Sequence, residues 1–281
     1  MKKIVLLFIV IIALTFQACD KIDGPYTVPY SGQSAFSKKV LIEDYTGHTC
    51  VNCPCAANEA KSLEAIYDTS VVVMAVHVGY FAQPNTQFPQ DFTTTAGTDW
   101  DNKFNISTNG LPQGMINRLG YPNSNIVPFS AWASNVATLI AQAPYMSMSF
   151  QNNAYNAATG IVSGSVDVKF IKLNNLKLNL QICITEDSII GPQSNNCDNT
   201  QAIPTITNYV FMHVLRTAVN GSWGTTITSG SAYNLVGSDI LTPYSYTIPT
   251  SNWKAKNCHL VAFVYDANTY EVLQVQQISV Q

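Results

Sequence analysis

A chain of 281 residues with a formal charge of −3 and only 11% charged residues has no basic field with which to hold nucleic acid. Average soluble chains carry about 25% charged residues; here Asn, Thr, Ser and Gln supply the polar surface, which agrees with export. The length suits two ordinary domains behind a leader, and no internal repeat of fixed period is visible.

The leader comes first. Lys2 and Lys3 precede an almost unbroken apolar run from Ile4 to Phe16, the pattern of an export signal. That run is short of the roughly 20 residues that a membrane-spanning helix needs. Ala18 directly before Cys19 resembles the bacterial lipobox. The resemblance implies a signal peptide over residues 1–18, cleavage before Cys19, and acyl chains on the Cys19 thiol and the new amino terminus. Residues 19–37, with Gly-Pro-Tyr and Val-Pro-Tyr steps, then read as a lipidated tether. Such a protein is held at a membrane by its lipid rather than by spanning it. Outside the cytoplasm thiols oxidise, so the six cysteines after Cys19 are read first as disulfide chemistry.

Residues 38–143 open with "KKVLIEDYTG", a β-rich run ending in a turn. "CVNCPCAANEAKSLEAIYD" follows with Ala56, Ala60, Leu63 and Tyr67 near helical spacing. Next comes "SVVVMAVHVGYF", uncharged and β-branched, the composition of a strand buried on both faces. Strand, helix and strand make a parallel βαβ unit, with Cys50-x-x-Cys53 at the strand-to-helix junction. Cys50 falls near the helix start, where unpaired N–H groups and the helix dipole favour a thiolate. Cys53 lies about one turn on and can resolve a mixed disulfide formed at Cys50. Pro54 is tolerated because a first-turn N–H has no helical partner.

This arrangement resembles the thioredoxins. Asp44, six residues before Cys50, matches their buried acid, a proton acceptor for the resolving thiol. Glu43 alternates with Asp44, so only one of the two faces the cysteines. "DWDNKFNISTNGLPQGMINR" is similar to the passage in which a short helix leads to a Gly-x-Pro and a strand. The likeness implies that Pro112 is a cis-proline facing Cys50 and Cys53. "VPFSAWASNVATLIAQAP" reads as the closing helix, with Trp132, Val136, Leu139 and Ile140 on one face. Thr49 stands where thioredoxins usually have Trp, Val51-Asn52 replaces Gly-Pro, and "AQPNTQFPQDFTTTAGTDW" reads as an insertion. These departures leave open whether the pair oxidises, reduces or isomerises.

Cys55 points away from Cys53, because two helical positions turn the direction by about 200°. It reads as a small buried hydrophobe, with a third redox thiol or a metal ligand as alternatives. His48-x-Cys50-x-x-Cys53-x-Cys55 offers four soft ligands, but they crowd one turn, and copper capture is the metal reading they support. His48 is expected beside the thiolate or solvated. His77 is expected to be satisfied by a backbone carbonyl, or to approach the same site if its strand ends there, and Arg118 is expected to meet a surface carboxylate.

Residues 144–281 carry seven alternating runs separated by Asn, Gly, Ser and Pro, which indicates a β-sandwich of immunoglobulin-like or fibronectin-like size. In "NLKLNLQICIT", Leu176, Leu178, Leu180, Ile182 and Ile184 share one face. Of Cys183, Cys197 and Cys258, the favoured bridge is Cys197–Cys258, with Cys183 able to replace either. His213 and His259 sit in strand patterns away from any recognisable carboxylate cluster. No Ser/His/Asp grouping, paired glycosidase acids or phosphate loop is evident, and no cofactor or resident metal is called for.

Taken together, the lipobox, "VLIEDYTGHTCVNCP", "GLPQGMINR" and a C-terminal β region resemble the outer-membrane lipoprotein family of Bacteroidota first described as a 28-kilodalton outer membrane protein. The resemblance implies a thioredoxin-like domain and an outer-membrane location, facing the periplasm or the cell surface. The leading expectation is thiol–disulfide exchange on exported protein thiols and disulfides, with Cys50 attacking, Cys53 resolving, Asp44 handling protons and Pro112 shaping the groove. The alternatives are a non-catalytic adhesin-type binder of a surface partner protein, in which Cys50–Cys53 is a structural disulfide, and a copper-binding thioredoxin-like protein.

Overall fold

The computed structural model describes residues 37–197, 205–249 and 251–281. The expected signal peptide, the lipidation residue Cys19 and the tether up to residue 36 lie outside them. The chain is mixed α/β with strand predominating. No helix among the described residues is long and apolar enough to cross a membrane.

The first half builds one parallel crossover. Strands β1 (Val40–Thr46) and β2 (Val71–His77) are buried along their whole length and pair in parallel from Val40↔Val71 to Thr46↔His77. Helix α1 (Cys53–Tyr67) connects them, with Pro54 in its first turn. Strand β3 (Gln113–Ile116) runs antiparallel on the other side of β1. Helix α2 (Thr95–Phe104) is capped by Thr94, whose Oγ1 accepts from the Gly97 N–H at 2.9 Å; it ends at Asn105 in the left-handed region, φ 55°. Helix α3 (Trp132–Ile140) closes this half.

Alternation along β1 decides which core each residue joins. Leu41 and Tyr45 pack with Trp100 and Phe104 of α2. Val40 and Ile42 face Ala56, Ala60 and Leu63 of α1 and Trp132 of α3. Asp44 therefore looks toward α1, and Glu43 away from it.

The remaining strands are β4 (Met146–Asn156), β5 (Ile161–Phe170), β6 (Lys177–Glu186), β7 (Ile189–Ser194), β8 (Thr205–Phe211), β9 (Val214–Ala218), β10 (Thr225–Ser229), β11 (Asp239–Thr247), β12 (Cys258–Asp266) and β13 (Val272–Ser279). The large sheet has the order β13-β12-β6-β9-β2-β1-β3, with β10 also on β6. It crosses the boundary expected at residues 143–144: β9 meets β2 at Ala75↔Val214, and the Ala75 N–H donates to the His213 carbonyl at 2.8 Å. The core of Met74, Val76, Trp100 and Phe104 is completed by Val261, Phe263 and Tyr265 of β12. A second sheet, β11-β5-β4, packs on β6 and β12 through Val166, Val168 and Phe170 against Leu180, Ile182, Leu260 and Ala262. Strands β7 and β8 form a separate two-stranded ribbon.

Arg118 is not at the surface. It lies buried after β3, bonded to Glu43 and surrounded by the rings of Trp100, Phe104, Phe263 and Tyr265 at 5.1–5.6 Å. The carboxylate it meets is the β1 acid whose side points away from α1.

Candidate functional site

The site begins where β1 ends. Gly47 has to be glycine, because an added Cβ would come within 2.5 Å of the Phe81 backbone. Thr49 is held to the same carbonyl through its N–H at 3.1 Å and its hydroxyl at 3.0 Å. The Cys50 N–H then donates to the Gly47 carbonyl at 3.0 Å, and Cys53 is the first residue of α1. Cys50 and Cys53 are joined as a disulfide, with Cα atoms 5.4 Å apart. The register Tyr45↔Gln113, continued by one residue, sets Pro112 opposite Thr46 at the end of β1. The Leu111–Pro112 bond is cis.

The expected Cys197–Cys258 bridge is replaced by Cys55–Cys197. Strand β7 carries the chain back over the start of α1. The Ser194 N–H donates to the His48 carbonyl at 2.9 Å, and the Asn196 N–H to the Val51 carbonyl at 2.8 Å. Gln193, itself buried, donates from Nε2 to the Cys50 carbonyl at 2.9 Å. Residues 193–197 thus form a strap across the loop that holds the Cys50–Cys53 disulfide. Cys55, turned away from Cys53, meets Cys197 on this strap and is no buried hydrophobe. Cys258 instead opens β12 inside the core, where its thiol donates to the Lys254 carbonyl at 3.4 Å. Among the described residues Cys183 and Cys258 are buried and unbridged; burial pushes the Cys258 thiol up to about 12.

Beside the disulfide lies a cavity of about 550 Å³, bounded by α1, the ends of β1 and β2, and β8. Cys53, Asp44, Glu64, His213, Tyr209 and Phe211 are among the residues that line it. Cys50 is not in the wall. Asp44 is buried and its Oδ1 has no hydrogen-bond partner. Burial raises its carboxyl to about 7, against a smaller opposing pull from His213. The hydroxyl of Tyr209 is pushed up to about 12 by burial and then by the charge of Asp44.

The histidines differ from expectation. His48 is buried; its Nε2 donates to the Gln83 carbonyl at 3.1 Å and its ring stacks on Phe88. His77 finds no carbonyl: both ring nitrogens lack partners, and burial lowers it to about 3. Its neighbours are the rings of Phe92 and Phe211. His213 and His259 are not remote from carboxylates. His213 Nε2 lies 3.1 Å from Glu64, its Nδ1 3.5 Å from Asp187, and His259 Nε2 3.1 Å from Asp187. Burial opposes charge on His213, but Glu64 and Asp187 outweigh it and raise the imidazole above its ordinary range. Glu64 lies on α1, Asp187 between β6 and β7, His213 between β8 and β9, and His259 on β12, and nothing in their sequence spacing announces the cluster. Among the described residues no group of three or more His, Cys, Asp or Glu is placed to hold a metal. The sulfurs of Cys50, Cys53 and Cys55 are all tied in disulfides, so the four-ligand copper set is not available in this oxidised chain.

Among solved structures, HBP35 of Porphyromonas gingivalis has a TM-score of 0.63 at 15% identity, covering 88% of this chain and 76% of that one. An Agrobacterium tumefaciens protein has a TM-score of 0.52 at 12% identity, over 89% of this chain and 97% of that one. At these identities the likeness shows the fold alone. A domain of the outer membrane lipoprotein Omp28 from Porphyromonas gingivalis is 27% identical over 48% of this chain and 88% of that one, with a TM-score of 0.31. No curated protein matches. The family described as outer membrane protein Omp28 matches residues 99–281, a stretch that begins after the Cys50–Cys53 loop. That match spans more than half of the chain, which therefore belongs to the outer membrane protein Omp28 family.

Proposed function

We propose that this lipoprotein carries out thiol–disulfide exchange in the envelope, using a thioredoxin-like half that shares its sheet with an immunoglobulin-like β half. One observation carries the reading: a buried carboxyl, Asp44, lines the same cavity as Cys53 and has an oxygen free to take a proton. A residue whose carboxyl titrates near 7 can receive the resolving thiol's proton and return it. In the reduced protein, the Cys50 thiolate at the α1 end attacks a substrate disulfide. Cys53, its proton passed to Asp44, then attacks the Cys50 sulfur of the mixed disulfide and expels the substrate as a dithiol. The parallel β1-α1-β2 crossover and the cis Leu111–Pro112 bond opposite Thr46 support the assignment. Its substrates are thiols or disulfides of exported proteins, reached from a lipid anchor at Cys19.

The test is the reduction potential of the Cys50–Cys53 pair together with turnover of a model disulfide. Cys50→Ser with Cys53→Ser should abolish turnover; a wild-type protein that turns over with no redox partner would end this reading.

A second reading, a surface-binding lipoprotein with a structural Cys50–Cys53 disulfide, draws on the strap: both cysteines are only 2% exposed. A potential below about −300 mV would favour it, since that is the range of structural disulfides.

A further inference from the structure

Cys50 and Cys53 are equally buried, yet their surroundings differ. The strap is bonded to the loop at Cys50, with Gln193 on the Cys50 carbonyl and Asn196 on that of Val51, and Gln193 also borders the cavity. Cys53 borders the cavity, and Cys50 does not. The cavity also holds unspent polar groups: Asp44 Oδ1 and both ring nitrogens of His77 are buried without partners. Buried polar atoms of that kind are costly unless a ligand or water satisfies them. At about 550 Å³ the space falls within the roughly 300–1,000 Å³ of small-molecule sites.

Building on the exchange reading above, we propose that this cavity is a site for a low-molecular-weight thiol, or its disulfide, and that such a compound exchanges at Cys53 rather than at Cys50. A small thiolate in the cavity attacks Cys53 Sγ; the Cys50–Cys53 bond breaks and its electron pair leaves on Cys50. A second molecule of thiolate attacks the small-molecule sulfur of the Cys53 mixed disulfide and releases Cys53 as a thiolate. Two small thiols are oxidised to one disulfide, and the protein pair gains two electrons. The two protons given up by the small thiols end on Cys50 and Cys53, that of Cys53 passing through Asp44. The leaving order is sensible, because Cys50 departs at the positive end of α1 and a stabilised thiolate leaves faster.

The experiment uses the full chain and 2-hydroxyethyl disulfide as the probe. Cys50→Ser leaves Cys53 as the single thiol of the pair, and Cys53→Ser leaves Cys50. Cys50→Ser should form the mixed disulfide at least about tenfold faster than Cys53→Ser. Ala57→Phe, which narrows the cavity wall, should slow the first variant and leave the second unchanged. In the wild type, oxidised chain treated with 2-mercaptoethanol and quenched in acid should carry its adduct on Cys53 by peptide mass mapping, a readout that needs no variant to fold. An adduct on Cys50, or equal rates in the two variants, overturns the inference while the exchange reading stands. Failure of the wild-type pair to exchange with either 2-mercaptoethanol or a dithiol removes both.

Discussion

Arg118 and Glu43 form a two-point ion pair closed off from solvent: Nε to Oε2 and Nη2 to Oε1 are each 2.7 Å, and the side chains are 1% and 0% exposed. Burial works against the guanidinium's charge, and Glu43, by its charge and hydrogen bonds, more than offsets this. Removing one partner strands the other in an apolar core, a cost of about 3–5 kcal/mol. Glu43→Ala should lower unfolding free energy in denaturant by that amount, whereas Glu43→Leu with Arg118→Met should recover most of it. A loss below about 1 kcal/mol for the single change would show that the pair is solvated.

Cutting the strap should bare Cys50. The Cys55–Cys197 bridge spans a sequence separation of 142, and loop entropy for so long a span gives about 5 kcal/mol as an upper figure. Cys197→Ser should therefore destabilise the chain by a few kcal/mol. After reduction of the remaining pair, it should also raise the alkylation rate of Cys50 about tenfold or more. Unchanged alkylation would mean that the strap does not shield that sulfur.

Asp44 should make the folded protein less stable as pH rises. Its carboxyl titrates at about 7 when folded, against about 3.9 in an unfolded chain. The unfolded chain gives up the proton first, so stability falls between about pH 4 and pH 7 and stays low above that. Asp44→Asn removes the penalty: unfolding free energy should match wild type near pH 4 and exceed it at pH 8, by up to about 4 kcal/mol at 1.36 kcal/mol per unit. Equal stability at pH 8 would show a hydrated carboxylate.

His77 acts in the opposite sense. Burial holds it at about 3, while an unfolded histidine titrates near 6.5. The unfolded chain binds the proton over that interval, so His77 costs stability as pH falls from about 6.5 to 3. His77→Phe, set among Phe92 and Phe211, should flatten the acid limb of melting temperature against pH. An unchanged limb would place the acid sensitivity elsewhere.

The β1-α1-β2 crossover was legible because it rests on local signals: an uncharged β-branched run, a helical spacing of Ala56, Ala60 and Leu63, and cysteines at the junction. Alternation said that one of Glu43 and Asp44 faces Cys53, but only the packing of Leu41 and Tyr45 on α2 says which. What could not be read depends on distant elements meeting. Cys55–Cys197 exists because β7 returns over α1, a path no loop composition specifies. Arg118 looked like a surface residue because the rings that enclose it come from α2 and β12, over a hundred positions apart. His213 joins Glu64 and Asp187 through a crossing of α1 and β9's approach, with φ 56° at His213 itself.

The meeting of β12 with α2 has an outcome for anyone who divides the chain. A fragment ending at residue 143 would carry Met74, Val76, Trp100 and Phe104 as a naked greasy wall, since the side chains that cap them, Val261, Phe263 and Tyr265, are left behind. The amputated piece would clump rather than dissolve, and the guanidinium of Arg118 would lose two of its four flanking rings. The β1-α1-β2 crossover thus draws part of its core from a strand far downstream of it, and both have to be present together for either to be covered.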